Sequence, residues 1–311
     1  MARRQISLLG AGGLSVLLAL AGCSHGNRPD IPPETRSGDV RAIEKGEEYV
    51  AIGDSYTSAP GTGSSADNCF QTTTNYPHKI AARLGLKLKD VSCGGATTEH
   101  VSAPQILGST RRPPQADAVS PDTDLVTISL GANDSNIFSA VTFGCITLRS
   151  RDPAGAPCQQ SDAAAVGRTV EQNTEETEQH LVDAIRLVAA RAPAARIVVV
   201  GYPEFFPTTG PCAQFPLALG DYPFAHRINE LLVRAQKRAA ARTQAEYVDV
   251  FTASQGHDMC ARDPWIAGLR PTRSDAMLLH PYPEEQRLVA ELLVHLLTRA
   301  GPPNRERPPD R

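Results

Sequence analysis

EYVAIGDSYTSAPG, residues 48–61, runs a strand-forming segment directly into a tight turn. Glu48 to Ile52 is β-branched and aromatic enough, and about the right length, to be a strand. Gly53, Asp54 and Ser55 then follow, and each favours sharp backbone geometry for its own reason: glycine accepts positive φ, while Asp and Ser fold a side-chain oxygen back onto a nearby N–H. A hydroxyl at such a place is either a turn serine or a nucleophile. The triplet alone does not distinguish the two.

What distinguishes them is the company Ser55 keeps. Apolar runs at Glu48–Ile52, Lys87–Val91, Leu125–Leu130, Arg196–Val200 and Glu246–Val250 predict strands. Helical periodicity over Tyr76–Leu84, Val166–Ala192, Phe224–Ala241 and Glu284–Ala300 predicts helices. Strand and helix take turns, so the expected fold is α/β: a three-layer α/β/α sandwich around a mostly parallel five-stranded sheet, with ligands at the carboxyl ends of its strands. Ser55 lies at one such end. Ser92-Cys93-Gly94-Gly95-Ala96-Thr97-Thr98 follows the second strand, Gly131-Ala132-Asn133-Asp134 follows the third, and His280-Pro281 precedes the last helix. Each has a plain structural reading, the glycines as a turn and Asn133-Asp134 as the cap of a helix starting near Ser135. Four of them converging on one crevice point to chemistry.

The ends of the chain bear on where that chemistry occurs. Arg3 and Arg4 precede an apolar stretch, Ile6 to Ala19, that is short for a bilayer span, so residues 1–22 read as an export signal. It closes on Leu20-Ala21-Gly22-Cys23, which resembles the lipobox of bacterial lipoproteins and implies an acylated Cys23 and a membrane anchor; plain secretion with an incidental cysteine is the alternative. Residues 23–45 hold Gly26, Pro29, Pro32, Pro33 and Gly38 without apolar periodicity and read as a flexible tether. A coil of that length spans roughly 25 Å. Residues 301–311 are a tail, which leaves 46–300 as one folded domain.

Of seven cysteines, six remain beyond Cys23, an even number in a chain marked for an oxidising compartment. Their clustering favours sequential pairing: Cys69–Cys93, Cys145–Cys158 and Cys212–Cys260. Zinc is disfavoured, since neither CxxC nor HxxxH spacing occurs. The formal net charge is −3, and a leader carrying Arg3 and Arg4 but no acid takes it two units lower on removal. Nothing there attracts nucleic acid.

Taken in order, Gly-Asp-Ser-Tyr, the glycine block, Gly-Ala-Asn-Asp and the late His-Pro resemble the SGNH, or GDSL-type, hydrolases over about residues 48–298. The cysteine layout, with Gly256-His257-Asp258-Met259-Cys260 and then Asp263-Pro264-Trp265-Ile266, resembles the secreted actinobacterial lipase and esterase branch. The resemblance implies a flavodoxin-like sheet, a monomer, and hydrolysis of carboxylic esters with no metal or cofactor. It makes Ser55 the nucleophile and His280 the base that takes its proton, which a neutral hydroxyl requires. The negative charge that then forms on the carbonyl oxygen would meet the N–H groups of Ser55 and Gly95 and the Asn133 amide. Glycine at 95 would let the backbone approach that oxygen.

One element of the pattern is missing. Many of these hydrolases carry Asp three residues before the histidine, whereas here Met277 stands there and Asp275 is five residues before His280. The imidazole tautomer still has to be fixed. Asp275 could reach through a bulged loop, or a backbone carbonyl near Met277 could serve, which is slightly favoured. Asp54 and Asp134 read as structural anchors, and His257 beside Asp258 as a structural pair. Trp265 and Phe205-Phe206 line an acyl pocket or pack the core, and the long insertion 139–162 is placed to shape the pocket entrance. A membrane tether favours acyl lipids, phospholipids included, as substrate. A cell-envelope carbohydrate O-acetyl esterase and a non-catalytic ligand-binding lipoprotein are the alternatives.

Overall fold

The computed structural model describes residues 41–299 apart from 66, 165 and 166; the export signal, Cys23, the tether up to residue 40 and the tail from 301 lie outside the described residues. Five strands form the main sheet: β1 (Glu48–Gly53), β2 (Lys87–Asp90), β5 (Leu125–Ser129), β6 (Arg196–Val200) and β7 (Glu246–Val248). Between β2 and β5 a small antiparallel hairpin, β3 (Gln105–Leu107) and β4 (Thr110–Arg112), stands apart. The main sheet has the order β2-β1-β5-β6-β7, and every pairing in it is parallel. This is the flavodoxin-like order.

Burial follows from that topology. β1 and β5 are flanked by strands and covered on both faces, so nearly every residue in them is buried. Alternate residues of β1 serve opposite layers. Tyr49 and Ala51 join Tyr76 and Ile80 of α2 (Tyr76–Leu84) and Val289, Leu293 and Leu297 of the last helix. Val50 and Ile52 face Leu181, Ile185 and Val188 of α6 (Val170–Arg191) together with Ala239 and Ala240 of α7 (Tyr222–Thr243). The remaining helices are α1 (Ser55–Ser58), α3 (Ile137–Ser139), α4 (Cys145–Leu148), α5 (Pro157–Ala163), α8 (Val250–Ala253) and α9 (Pro283–Leu297).

Where boundaries differ from the sequence expectation, capping explains it. The helix expected from Val166 begins at Val170, because Thr169 accepts the Gln172 N–H while the Gln172 side chain returns to the Thr169 N–H. The last strand stops at Val248 rather than Val250, because the Asp249 carboxylate takes the Thr252 N–H and opens α8. Arg41–Lys45, expected as the end of a tether, is docked instead. Ile43 is 6% exposed in the α2–α9 layer and its N–H bonds the Leu297 carbonyl at 2.9 Å.

The disulfides are Cys69–Cys93, Cys145–Cys158 and Cys212–Cys260, with Cα separations of 4.2, 4.8 and 5.8 Å. The first ties the loop before α2 to the segment after β2, and the second staples the insertion. In strand order the chain steps from β1 outward to β2 and then back across to β5, so the order reverses at β1. Such a reversal point, at the carboxyl ends of the strands, is where α/β sheets bind ligands.

Candidate active site

Ser55 is the first residue of α1, and the reason a helix starts there is Asp54. Its backbone is extended, and its carboxylate accepts the Tyr56 N–H at 2.9 Å. The same carboxylate is fully buried, receives the Tyr202 hydroxyl, and lies 3.4 Å from the Asn133 amide nitrogen. Burial pushes the Asp54 carboxyl up to about 7, against the downward pull of the Tyr202 and Tyr56 bonds. Gly53 before it allows no side chain, since a Cβ would stand 2.1 Å from the Thr57 hydroxyl. Its two backbone groups are gripped by one amide: Gln115 accepts the Gly53 N–H at 2.9 Å and donates to its carbonyl at 3.0 Å. The Ser55 N–H itself has no acceptor among the described residues.

The glycine block is held against this turn. Cys93 N–H donates to the Gly53 carbonyl at 3.0 Å, Gly94 N–H to the Cys69 carbonyl at 2.9 Å, and the Gln105 amide to the Gly94 carbonyl at 2.8 Å. Gly95 sits at φ +73°, the left-handed region, and its N–H too is uncommitted among the described residues. A Cβ at 95 would meet nothing nearer than 3.9 Å. Within the protein, glycine is required there for its backbone conformation.

Asn133 follows β5 and stands at the N-cap of a short 3-10 turn, Asp134–Asn136, but its side chain makes no cap bond: its amide donates to the Ala96 carbonyl at 3.0 Å and weakly to Asp54. Asp134 is the anchor of that loop, accepting the Thr98 N–H at 2.9 Å and the Thr98 hydroxyl at 2.6 Å. Burial raises its carboxyl above the ordinary range, and the Thr98 bonds oppose this. Tyr202, two residues past β6, completes the web by accepting the Ala132 N–H at 3.2 Å while donating to Asp54. The loops after β1, β2, β5 and β6 are thus cross-bonded.

His280 arrives on irregular chain. Its Nδ1 lies 2.7 Å from the Leu278 carbonyl, its own N–H bonds the Met277 carbonyl at 3.1 Å, and its carbonyl accepts the Ala267 N–H at 2.9 Å. With Nδ1 donating, Nε2 carries the free lone pair. Burial pushes the imidazole down to about 4, the Leu278 bond recovering only part of the shift. Two contacts join this loop to the Ser55 turn: Met277 N–H reaches the Pro60 carbonyl at 2.9 Å, and the Tyr56 hydroxyl reaches the Leu279 carbonyl at 2.9 Å. The Tyr56 and His280 rings stand 6.0 Å apart.

Asp275 does not reach His280. Both its oxygens are engaged by the Arg273 guanidinium, which lowers the carboxyl below its ordinary range, and Arg273 also bonds Glu284 at 3.0 Å. The carbonyl at the imidazole is that of Leu278, one residue past Met277. His257 is occupied elsewhere: its Nδ1 meets the Asp263 carbonyl at 2.7 Å and its ring stacks on Trp265 at 3.7 Å. Phe205 and Phe206 are buried with Tyr56, Tyr202, Phe215 and Leu279, and insertion residues Val141 and Cys145 join the same cluster, as does Ile137 just before the insertion. Tyr202 and Gln115 escape sequence reading. Tyr202 had a signal, an aromatic hydroxyl just past a predicted strand end, whereas Gln115 had none.

A flavodoxin-like sheet bearing a serine, a glycine, an asparagine and a histidine loop at one end has the features of an SGNH-type ester hydrolase. Comparison with known proteins agrees. A model of the GDSL-like Lipase/Acylhydrolase family matches residues 51–288. Lipase 2 of Streptomyces coelicolor is 36% identical over 259 residues, covering 80% of this chain and 85% of that protein. An esterase of Streptomyces scabiei is 31% identical, with 71% of this chain and 74% of the esterase covered. The crystal structure of phospholipase A1 from Streptomyces albidoflavus superposes with a TM-score of 0.65 at 27% identity, covering 82% of this chain and all of that one. The chain belongs to the GDSL-like lipase/acylhydrolase family and is a carboxylic ester hydrolase. Its three disulfides agree with an extracytoplasmic setting.

Proposed function

We propose that this protein is a serine esterase that cleaves acyl lipid esters, phospholipids included, through an acyl-enzyme formed on Ser55. The observation that carries the reading is the Leu278 carbonyl on His280 Nδ1, which leaves the Nε2 lone pair free on a loop bonded to the Ser55 turn. As the Ser55 oxygen attacks the acyl carbon, Nε2 takes its proton. The imidazolium then hands that proton to the departing alcohol oxygen, and water repeats the sequence to release the acid. His280 is a dyad base here, with a carbonyl in the place of the usual carboxylate.

In this reading three donors meet the developing oxyanion, which their available N–H groups support: those of Ser55 and Gly95, uncommitted among the described residues, and the Asn133 amide. One Asn133 N–H is spent on Ala96. The other rests at 3.4 Å from Asp54, a bond weak enough to be exchanged for a charged oxygen. Loss of one such donor typically costs about 3–4 kcal/mol of barrier stabilisation.

Support for lipid rather than acetyl esters comes from what surrounds the histidine and serine. Met277 and Leu278, directly before His280, are 39% and 46% exposed, and Tyr56 heads an aromatic cluster that includes Phe138 and Phe205. Family members named lipase and phospholipase A1 point the same way. Acylation at Cys23 would keep the enzyme near its substrate, and incorporation of a labelled fatty acid into wild type but not Cys23→Ala tests it. For catalysis, a fluorophosphonate probe should label wild type and not Ser55→Ala. A p-nitrophenyl ester series should then favour medium or long chains over acetate. Activity confined to acetate would reassign the enzyme to carbohydrate deacetylation.

A further inference from the structure

We propose that Tyr56 is a positioning residue which, through its hydroxyl, holds the turn that orients His280; this rests on the Ser55–His280 reading above. The turn runs from Met277 to His280, closed by the bond from His280 N–H to the Met277 carbonyl. Its third residue, Leu279, has φ +65°. A positive φ at that position is the mark of a type II turn, a place where glycine is preferred and leucine is disfavoured.

The strain has a chemical use. In a type II turn the central peptide is flipped relative to type I. That central peptide is Leu278–Leu279, and its carbonyl is the one on His280 Nδ1. Were Leu279 to relax to negative φ, the Leu278 carbonyl would turn away and the imidazole would lose the bond that fixes its tautomer. Something must therefore keep Leu279 where it is. Its side chain is 3% exposed in the aromatic cluster with Tyr56, and its carbonyl accepts the Tyr56 hydroxyl.

Tyr56 is itself rooted at the nucleophile. Its N–H is on the Asp54 carboxylate at 2.9 Å, and its carbonyl accepts the Gln286 amide at 2.9 Å. Gln286 in turn accepts the Tyr76 N–H at 2.8 Å, so α9 and α2 brace the same residue. A single side chain thus spans from the residue after the nucleophile to the residue before the base. Neither end can shift without the other.

Tyr56→Phe in the full-length protein removes the hydroxyl and keeps the ring. Expected is a fall in kcat of about tenfold to a hundredfold with KM nearly unchanged, and an equal fall in fluorophosphonate labelling rate. The low-field proton resonance of the His280 Nδ1–H should broaden or vanish as well. Because glycine adopts positive φ freely, Tyr56→Phe combined with Leu279→Gly should recover part of both the rate and the resonance. Wild-type kcat and an unchanged Nδ1–H signal in Tyr56→Phe would overturn the proposal. So would a loss seen only as lowered thermal stability, or a double variant no better than the single. If wild type itself resists the probe, it is the nucleophile assignment that fails, and the resonance still decides the role of Tyr56.

Discussion

The two halves of the site are built on different principles. Ser55, Gly95 and Asn133 stand at the ends of parallel strands, and buried carboxylates finish the job: Asp54 and Asp134 each collect donors from neighbouring loops. His280 belongs to a stretch without long helix or strand. It is held by a Cys212–Cys260 bridge, an isolated pairing of Ile266 with Pro281, and one left-handed leucine. A sheet supplies most of the geometry of the first half, with left-handed residues just beyond it at Ala59, Ser135 and Asn136. In the second half the left-handed residue lies inside the turn itself, next to the Leu278 carbonyl that meets His280 Nδ1.

The comparison can be broken most severely at its two poles. Ser55→Ala and His280→Ala should each lower kcat by roughly 10⁴- to 10⁶-fold, and the double variant should be little worse than either, because the two act as a unit. Additive losses in steady-state rates would show that they do not. Next in size is the sheet-borne donor: Asn133→Ala should cost about 10²- to 10³-fold in kcat with KM little moved. A change confined to KM would mean that the amide binds substrate rather than the oxyanion.

Stability probes sharpen the contrast. Replacing Cys69 and Cys93 together by serine opens a loop with 24-residue separation and should lower unfolding free energy by about 3 kcal/mol, read by denaturant titration. The pH response then separates the halves by sign. Asp54, raised from 3.8 to about 7, and Glu285, raised from 4.5 to about 8, both by burial, hold protons in the folded state. Their contribution is full below the ordinary values and is lost as pH climbs through the folded ones. His280 is the reverse: lowered from 6.5 to about 4, it contributes above 6.5 and loses this as pH falls. Melting temperature should therefore decline between pH 5 and 8, and Asp54→Asn with Glu285→Gln should flatten the decline. In the same range kcat/KM should rise through a group near 4 and then stay level. A rise centred at 6.5 would place His280 in water.

The smallest expected effect is the most diagnostic. Asp275→Asn should leave kcat within about twofold, since its carboxylate serves Arg273. A large loss would restore it as a triad member.

How much of this was legible beforehand follows the same division. Strand ends are set by hydrophobic runs and turn residues, both local, so the stretches holding Ser55, Gly95 and Asn133 could be located there, while the roles of these three residues came from the family resemblance. Which atom faces His280 Nδ1 depends on the sign of one φ at Leu279, and no local signal predicts a left-handed leucine. The role of Asp54 was visible as an anchor, but its partner Tyr202 lies 148 positions away and only the packed sheet reveals it. The 139–162 insertion was recognisable by length, while its short helical turns and its burial against Phe205 depend on tertiary packing.

The bridge between Cys69 and Cys93 has one further implication. Because the Gly94 N–H rests on the carbonyl of Cys69, the turn presenting Gly95 gains its full support only once those sulfurs are joined. Thiols stay reduced where the chain is synthesised. Completion of the glycine turn is thereby coupled to an oxidising space, the extracytoplasmic setting with which the three disulfides agree.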